Sequence, residues 1–430
     1  MTLSVEDTQT ERRRFTLLPR PRSIGELNDP RRSVVAFSNR FHDARQYMYF
    51  LHFQEKTAHV LSGSLEEGLW TQVSLQASQH EPMLLDLITA AAAIDLNRNT
   101  PTNSIGVTTH KYQGLIHYDQ ALRSMQKRIT DAPPRTLMIA ALLIFYIEII
   151  NGDVNAACKQ IRSVLPIMHQ ELSLRGYKYR HCEQSSSTID LEDSLVAAFI
   201  RLDNSLCANP DVWTDSVLNK PVLKVDYSVT LPLPAEFTSF HQARNYLEMI
   251  QYHNLPSMTK GMANLANSKT NHDPETTRHL HEKLKLYQEW RRCYNPLYLK
   301  TGALGSPSSS RQDQLIAAPL WVQNMAGILM VESLLPQPAS QNLSTLHYDC
   351  LEVLELSRRI AQDPSYIQSF TFGYSVIPGV FFVLLMRADA LVKRQALELL
   401  ASVAERKDGF AGGEWYWASK FLGFWKMSPF

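Results

Sequence analysis

Apolar residues recur three and four positions apart along most of this chain, and that spacing most constrains how it can fold. In one segment the recurring positions are Leu115, Tyr118, Leu122, Met125 and Ile129. An α-helix has 3.6 residues per turn, so side chains at this spacing share one face. No segment sustains the alternation of apolar and polar residues that a half-buried strand requires. The chain is therefore predicted to be all-α, a large array of helices packed as antiparallel pairs.

The first 42 residues differ in composition from the rest. They are polar and rich in arginine and proline, which predicts a flexible, irregular tail without secretory-signal character. Within this tail, Arg12, Arg13 and Arg14 suggest a nuclear-import or phosphate-contacting patch. The alternative is an ordinary solvated segment. Residues 43–430 are predicted to form one helical domain.

The longest apolar run, Leu137 to Ile150, raises the question of a membrane span. It reads LMIAALLIFYIEII, which is shorter than the roughly 18 residues that a spanning helix requires and includes Glu148. A buried helix is the prediction, with no membrane association. The net charge of +1 likewise gives the whole chain no strong field for nucleic acid or an anionic surface.

Motifs that would indicate catalysis or metal binding are missing from the sequence. It contains no glycine-rich phosphate loop, no nucleophile elbow and no H-E-x-x-H. The five cysteines are more than twenty residues apart, so they form no zinc or redox motif. His279 and His281 would point about 200° apart on a helix and cannot share an ion. No catalytic residue, metal or cofactor is predicted, and this weakens an enzyme hypothesis.

A series of segments, taken in order, carries a family resemblance. YMYFLHFQEKTAHVLSG precedes a tryptophan, and EPMLLDLITAAAAID leads into an alanine-rich helix. HYDQALRSMQKRI, ALLIFYIEIINGDVNAACKQIRSVLPIM and LKLYQEWRRCYNPLY follow, and ALVKRQALELLASVAERKDGF is last. Together they resemble the regulatory region of the fungal zinc-cluster (Zn2Cys6) transcription factors, over about residues 43–412. Asp408 and Phe410 depart from the glutamate and tryptophan usual in that family.

The resemblance implies the function of a transcription regulator in the nucleus, with the cytoplasm as a second location. Such a regulator would act through protein partners or a small effector. The partner would be a zinc-cluster transcription factor or a second copy of this chain, and the setting could be the control of a biosynthetic gene cluster. The DNA-binding module of the family needs six clustered cysteines. The N-terminal segment is too short and too poor in cysteine to supply them, so direct sequence-specific DNA binding is not expected.

Two alternatives stay open at this point. The fold could have been recruited as an enzyme or a ligand-binding protein of a biosynthetic pathway, or an exon encoding the zinc cluster could lie upstream. If the helical body holds an effector pocket, its predicted lining includes Phe145, Trp290 and Trp321. The alternative for all three side chains is packing in the core.

Overall fold

A computed structural model describes most of the chain after residue 39. The described residues are 40–62, 68–99, 106–128, 131–174, 191–207, 221–223, 232–266, 274–301, 310–335, 343–368, 370, 376–386, 389–406 and 414–427. Helices dominate these residues, they pack in pairs, and the described ranges contain no strand. The all-α prediction is confirmed. Arg12, Arg13 and Arg14 lie outside the described ranges, so their role stays a prediction.

The helices follow one another along the chain with two π-helical turns near the start. The π-helical turns are Phe53–Thr57 and Leu69–Val73. The α-helices are α1 Ala44–His52, α2 Ala58–Ser62, α3 Ser74–Ala77, α4 Pro82–Asn99, α5 Gly106–Arg128, α6 Pro134–Asn151, α7 Val154–Leu174, α8 Leu191–Cys207, α9 Phe240–Ala266, α10 Pro274–Lys300, α11 Arg311–Leu334, α12 Leu343–Gln362, α13 Pro364–Gln368, α14 Ile377–Leu385, α15 Ala390–Ala404 and α16 Glu414–Met427.

Contacts along the chain divide it into two compact units, Met1–Met48 and Tyr49–Phe430. In the first unit, Asp43 begins α1, and its carboxylate accepts a hydrogen bond from the Gln46 backbone N–H at 2.7 Å. The Gln46 side chain in turn accepts from the His42 backbone N–H at 2.8 Å. This reciprocal pair satisfies backbone donors that a helix start leaves unbonded. The proposed division into a tail at 1–42 and a helical domain at 43–430 stays a prediction.

The longest apolar run forms α6, which starts at Pro134 and ends before Gly152. Proline suits the first helical turn, and Gly152 has a φ of 88°, the left-handed conformation that glycine adopts without strain. Both α6 and α11 are long and apolar enough to cross a membrane. However, 67% of the apolar window in α6 and 83% of that in α11 are buried inside the protein. The prediction of a buried helix for the Leu137 to Ile150 run is confirmed.

The core of the C-terminal half forms around α11. This helix packs against α9, α10, α12 and α14, so apolar side chains are needed on nearly every side of it. The closest approach is between α10 and α11, where the ring of Tyr287 lies against Gly327. A Cβ atom on Gly327 would fall 2.4 Å from Cε1 of Tyr287. Asn324 Nδ2 donates to the Tyr287 carbonyl at 3.0 Å, which satisfies one polar group inside this contact.

A buried ionic group joins α8 to α9. Glu248 Oε1 lies 2.7 Å from Nε of Arg244 and 3.4 Å from Nη1 of Arg201. Two guanidinium groups therefore hold one desolvated carboxylate, and the loss of either would leave it poorly compensated.

Asp203 on α8 and Tyr252 on α9 hold Leu223 in the connection between these helices. The Asp203 carboxylate accepts from the Leu223 backbone N–H at 2.8 Å, and the Tyr252 hydroxyl donates to the Leu223 carbonyl at 2.6 Å. Burial raises the pKa of Asp203 to about 6, although its hydrogen bonds from the backbone of Leu223 and Val222 oppose that rise.

Gly327→Ala should destabilise the protein by about 1–3 kcal/mol, because the added methyl group meets a buried aromatic ring that cannot move away. The matched control is Gly423→Ala in α16, where an added Cβ meets nothing within 4 Å. That variant should be as stable as the parent or up to about 1 kcal/mol more stable, since alanine favours helices. Urea unfolding followed by tryptophan fluorescence measures both. Equal effects of the two substitutions would contradict the close contact.

Candidate functional site

The structure brings two of the three predicted pocket residues together. Trp290 on α10 and Trp321 on α11 are 0% and 6% exposed, and both belong to the C-terminal core cluster. Tyr294 connects them: its ring centroid lies 4.5 Å from that of Trp290 and 6.3 Å from that of Trp321. Phe145 on α6 is outside that cluster and packs edge-on against Phe370, with ring centroids 6.3 Å apart.

The two indole groups differ in what surrounds them. Nε1–H of Trp290 donates to the Ala243 carbonyl at 2.8 Å, inside the core. Nε1–H of Trp321 donates to Glu352 Oε1 at 2.9 Å, next to ionised groups. Trp290 is thus a core side chain with a satisfied donor, whereas Trp321 stands at the edge of a polar region.

We name this region the aromatic–ionic cluster; it consists of Arg291, Tyr298, Trp321, Glu332, Asp349 and Glu352. Its aromatic part is a parallel stack of Tyr298 on Trp321, with centroids 4.6 Å apart and planes 9° apart. The guanidinium carbon of Arg291 lies 5.0 Å from the Trp321 ring centroid. A cation at this distance is attracted by the electron-rich face of an aromatic ring.

The ionic part of the cluster surrounds Arg291. Its two terminal nitrogens donate to Asp349 Oδ1 at 3.3 and 3.2 Å, and Glu352 Oε2 lies 3.8 Å away. Asp349 and Glu352 are three residues apart and thus share one face of α12. One arginine therefore joins α10 to α12 while it lies over an aromatic side chain of α11.

Glu332 makes the cluster sensitive to protons. Burial is the main reason that its pKa rises to about 7; the negative charge of Asp349 adds to this effect and Arg291 opposes it. Burial also raises the pKa of the neighbouring Cys350 thiol to about 12, with contributions from Asp349 and Glu332. The Cys350 thiol is therefore protonated and a poor nucleophile at neutral pH.

With Glu332 ionised, the cluster has three carboxylates and one guanidinium. Such a site has excess negative charge beside a partly buried aromatic stack, a combination that suits a flat organic cation. Of the residues in this cluster, only Trp321 was predicted from the sequence to line a pocket. Arg291, Glu332, Asp349 and Glu352 come from three separate helices, and their meeting depends on how those helices pack.

The remaining sequence predictions concern histidine and cysteine. His279 and His281 are both exposed on α10, as expected for surface histidines. Among the described residues, no group of three or more histidine, cysteine, aspartate or glutamate side chains could hold a metal ion. Among the described cysteines, Cys207, Cys293 and Cys350 are buried free thiols.

Glu332→Gln should stabilise the protein at alkaline pH. The folded-state pKa of about 7 exceeds the ordinary value of 4.5, so between these values the folded state binds more protons than the unfolded state. The contribution of Glu332 to stability is thus complete below pH 4.5 and lost as the pH rises through 7. A neutral glutamine avoids that loss, so its advantage should grow by about 2 kcal/mol from pH 4.5 to pH 8 after allowance for solvent screening.

Urea unfolding of both proteins at a series of pH values measures this advantage. Glu398→Gln on α15 is the control, because Glu398 forms an exposed ion pair with Arg394 at 2.9 Å. Its effect should stay within about 0.5 kcal/mol at every pH. A pH-independent difference between Glu332→Gln and the parent would contradict the assignment.

Part of the chain matches a known protein family. Residues 48–203 match the family model of the fungal specific transcription factor domain. No curated protein and no solved structure matches the chain. The matched residues contain nearly all of the first segments that carried the resemblance, from Met48 through the alanine-rich α4 to α7. The resemblance is confirmed over residues 48–203, which match the fungal specific transcription factor domain.

Proposed function

We propose that this chain is a nuclear transcription regulator that acts through protein partners or a small effector. The observation that carries the proposal is the match of residues 48–203 to the fungal specific transcription factor domain. The 430 residues contain no six-cysteine cluster, so the contribution of this chain is assigned to its helical body. Control of a biosynthetic gene cluster is the setting that we propose.

The aromatic–ionic cluster supports the effector part of the proposal. Tyr298 is half-buried, so an approaching molecule could meet the stack from its side, and the carboxylates around Arg291 would favour a positive charge. A flat apolar effector that carries an amine or a related cationic group would compete with Arg291 for the face of Trp321. Because residues of α10, α11 and α12 all contribute, such binding would bias the packing of three helices at once.

The partner part of the proposal rests on the family. A zinc-cluster transcription factor or a second copy of this chain would supply the DNA contact or the second half of an assembly. Co-purification of the tagged chain, followed by identification of what it retains, tests for either. Recovery of a pathway enzyme alone would favour the alternative of a recruited biosynthetic protein.

Deletion of the gene should change the transcript levels of a defined set of genes, and the wild-type chain should restore them. Tyr298→Ala should lower stability by about 2–3 kcal/mol, because the stack and the burial of a half-buried ring are both lost. At matched abundance it should fail to restore those transcripts if the effector binds there. Tyr112→Ala is the control; this tyrosine is 64% exposed on α5 and should restore them fully. Transcript sequencing beside immunoblots for abundance measures each outcome.

Three results would redirect the proposal. Unchanged transcripts with an altered metabolite profile would indicate an enzyme or a ligand carrier. A zinc-cluster exon in the upstream genomic sequence would assign direct DNA binding to the longer protein. Full restoration by Tyr298→Ala would remove the aromatic–ionic cluster from the mechanism and leave the regulator itself in place.

A further inference from the structure

The first π-helical turn places two side chains on one buried carboxylate. Ala58 N–H donates to the carbonyl of Phe53, five residues earlier, which is the hydrogen-bond pattern of a π-helix. His52 precedes this turn and Thr57 ends it. Thr57 Oγ1 donates to Asp95 Oδ2 at 2.9 Å, and His52 Nε2 lies 3.4 Å from the same oxygen.

The π-helical geometry is what allows this convergence. In a regular α-helix, residues five apart point about 140° away from each other. Widening the turn to an i→i+5 pattern brings them towards the same side. His52 and Thr57 can therefore reach one atom of α4 only while the turn between them keeps its extra residue. The contact and the π-helical turn depend on each other.

Groups from α4 and α6 also approach Asp95. On α4 itself, Asn99 Nδ2 donates to Asp95 Oδ1 at 3.3 Å. From α6, Tyr146 approaches: burial raises its pKa well above the ordinary value, the charge of Asp95 raises it further, and Arg98 on α4 opposes that rise. The His52 side chain is 19% exposed against 5% for Asp95, so His52 is the more solvent-accessible member of the pair.

We propose that His52, Thr57 and Asp95 form a charge-operated clamp on the first π-helical turn. When His52 is protonated, its positive charge pairs with Asp95 and the turn stays closed on α4. Histidine is the side chain whose charge changes most readily near neutral pH. When His52 is neutral, Asp95 loses a partner for its buried charge, and the turn relaxes towards α-helical geometry.

Relaxation of the turn would have a defined structural effect. Loss of the extra residue advances the chain by one position, which rotates residues 49–52 by about 100° relative to α2. Phe50 is buried and would leave its site, as would the Tyr49 hydroxyl, which lies 2.8 Å from His110 Nδ1 on α5. These residues begin the segment that matches the family, so the clamp is a conformational device within the regulatory domain.

Hydrogen-exchange mass spectrometry of the full chain tests the clamp. After correction for the intrinsic pH dependence of exchange, peptides covering residues 53–58 should be about tenfold better protected at pH 6 than at pH 8, because a neutral His52 leaves the buried Asp95 charge without that partner. His52→Gln should abolish this difference. His59→Gln is the control, because His59 is exposed on α2 directly after the turn, and this variant should retain the difference.

Two further variants keep the test decisive. Asp95→Asn keeps an acceptor for Thr57 and removes the charge, so it should also abolish the pH difference while circular dichroism stays helical. Thr57→Val should lower the protection of residues 53–58 at both pH values. Protection in the wild-type chain that does not change with pH would overturn the proposal. The same pH difference in His52→Gln would overturn it as well, whatever the transcript experiments show.

Discussion

The C-terminal half of the structure depends on α11, which is surrounded by α9, α10, α12 and α14. A helix in this position can expose almost nothing, so its side chains are apolar on nearly every side, and each polar group needs a partner inside the protein. Asn324 meets that need by donating to the Tyr287 carbonyl, and Trp321 does so by donating to Glu352. The contact between Tyr287 and Gly327 sets how closely α10 and α11 approach. The aromatic–ionic cluster follows from that approach.

The helical class and most helices could be predicted from the sequence because an amphipathic or fully apolar pattern is local information. The apolar run from Leu137 to Ile150 forms a buried helix as expected. The resemblance that residues 48–203 confirm could be predicted because it depends on the order of several segments rather than on any single residue. The segment from Phe50 to Leu61 is helical, but the π-helical turn Phe53–Thr57 interrupts it. Local propensity gives no reason for that turn, since its partner Asp95 comes from another helix.

The aromatic–ionic cluster was less predictable from the sequence, because its contacts also join side chains of different helices. A tryptophan in an apolar segment indicates burial, and burial is what Trp290, Trp321 and Phe145 share. It does not indicate which tryptophan will have charged neighbours. Trp290 and Arg291 are adjacent in sequence, yet the Trp290 side chain is in the core. The Arg291 side chain instead contacts the carboxylates of Asp349 and Glu352 on α12. Helix geometry explains the difference, because consecutive residues point about 100° apart, but only the packing of α12 identifies the outer partners.

The matched segment and the rest of the chain are connected through buried polar contacts. Arg201, inside the match, pairs with Glu248 on α9 beyond it, and Asp203 holds the Leu223 backbone. Contacts of this kind tolerate displacement poorly, because a buried charge that loses its partner is costly. A change in helix packing on one side of α8 would therefore disturb the helix packing on its other side. This gives a physical basis by which the effector proposed for the aromatic–ionic cluster would influence residues 48–203, although the cluster lies entirely outside them.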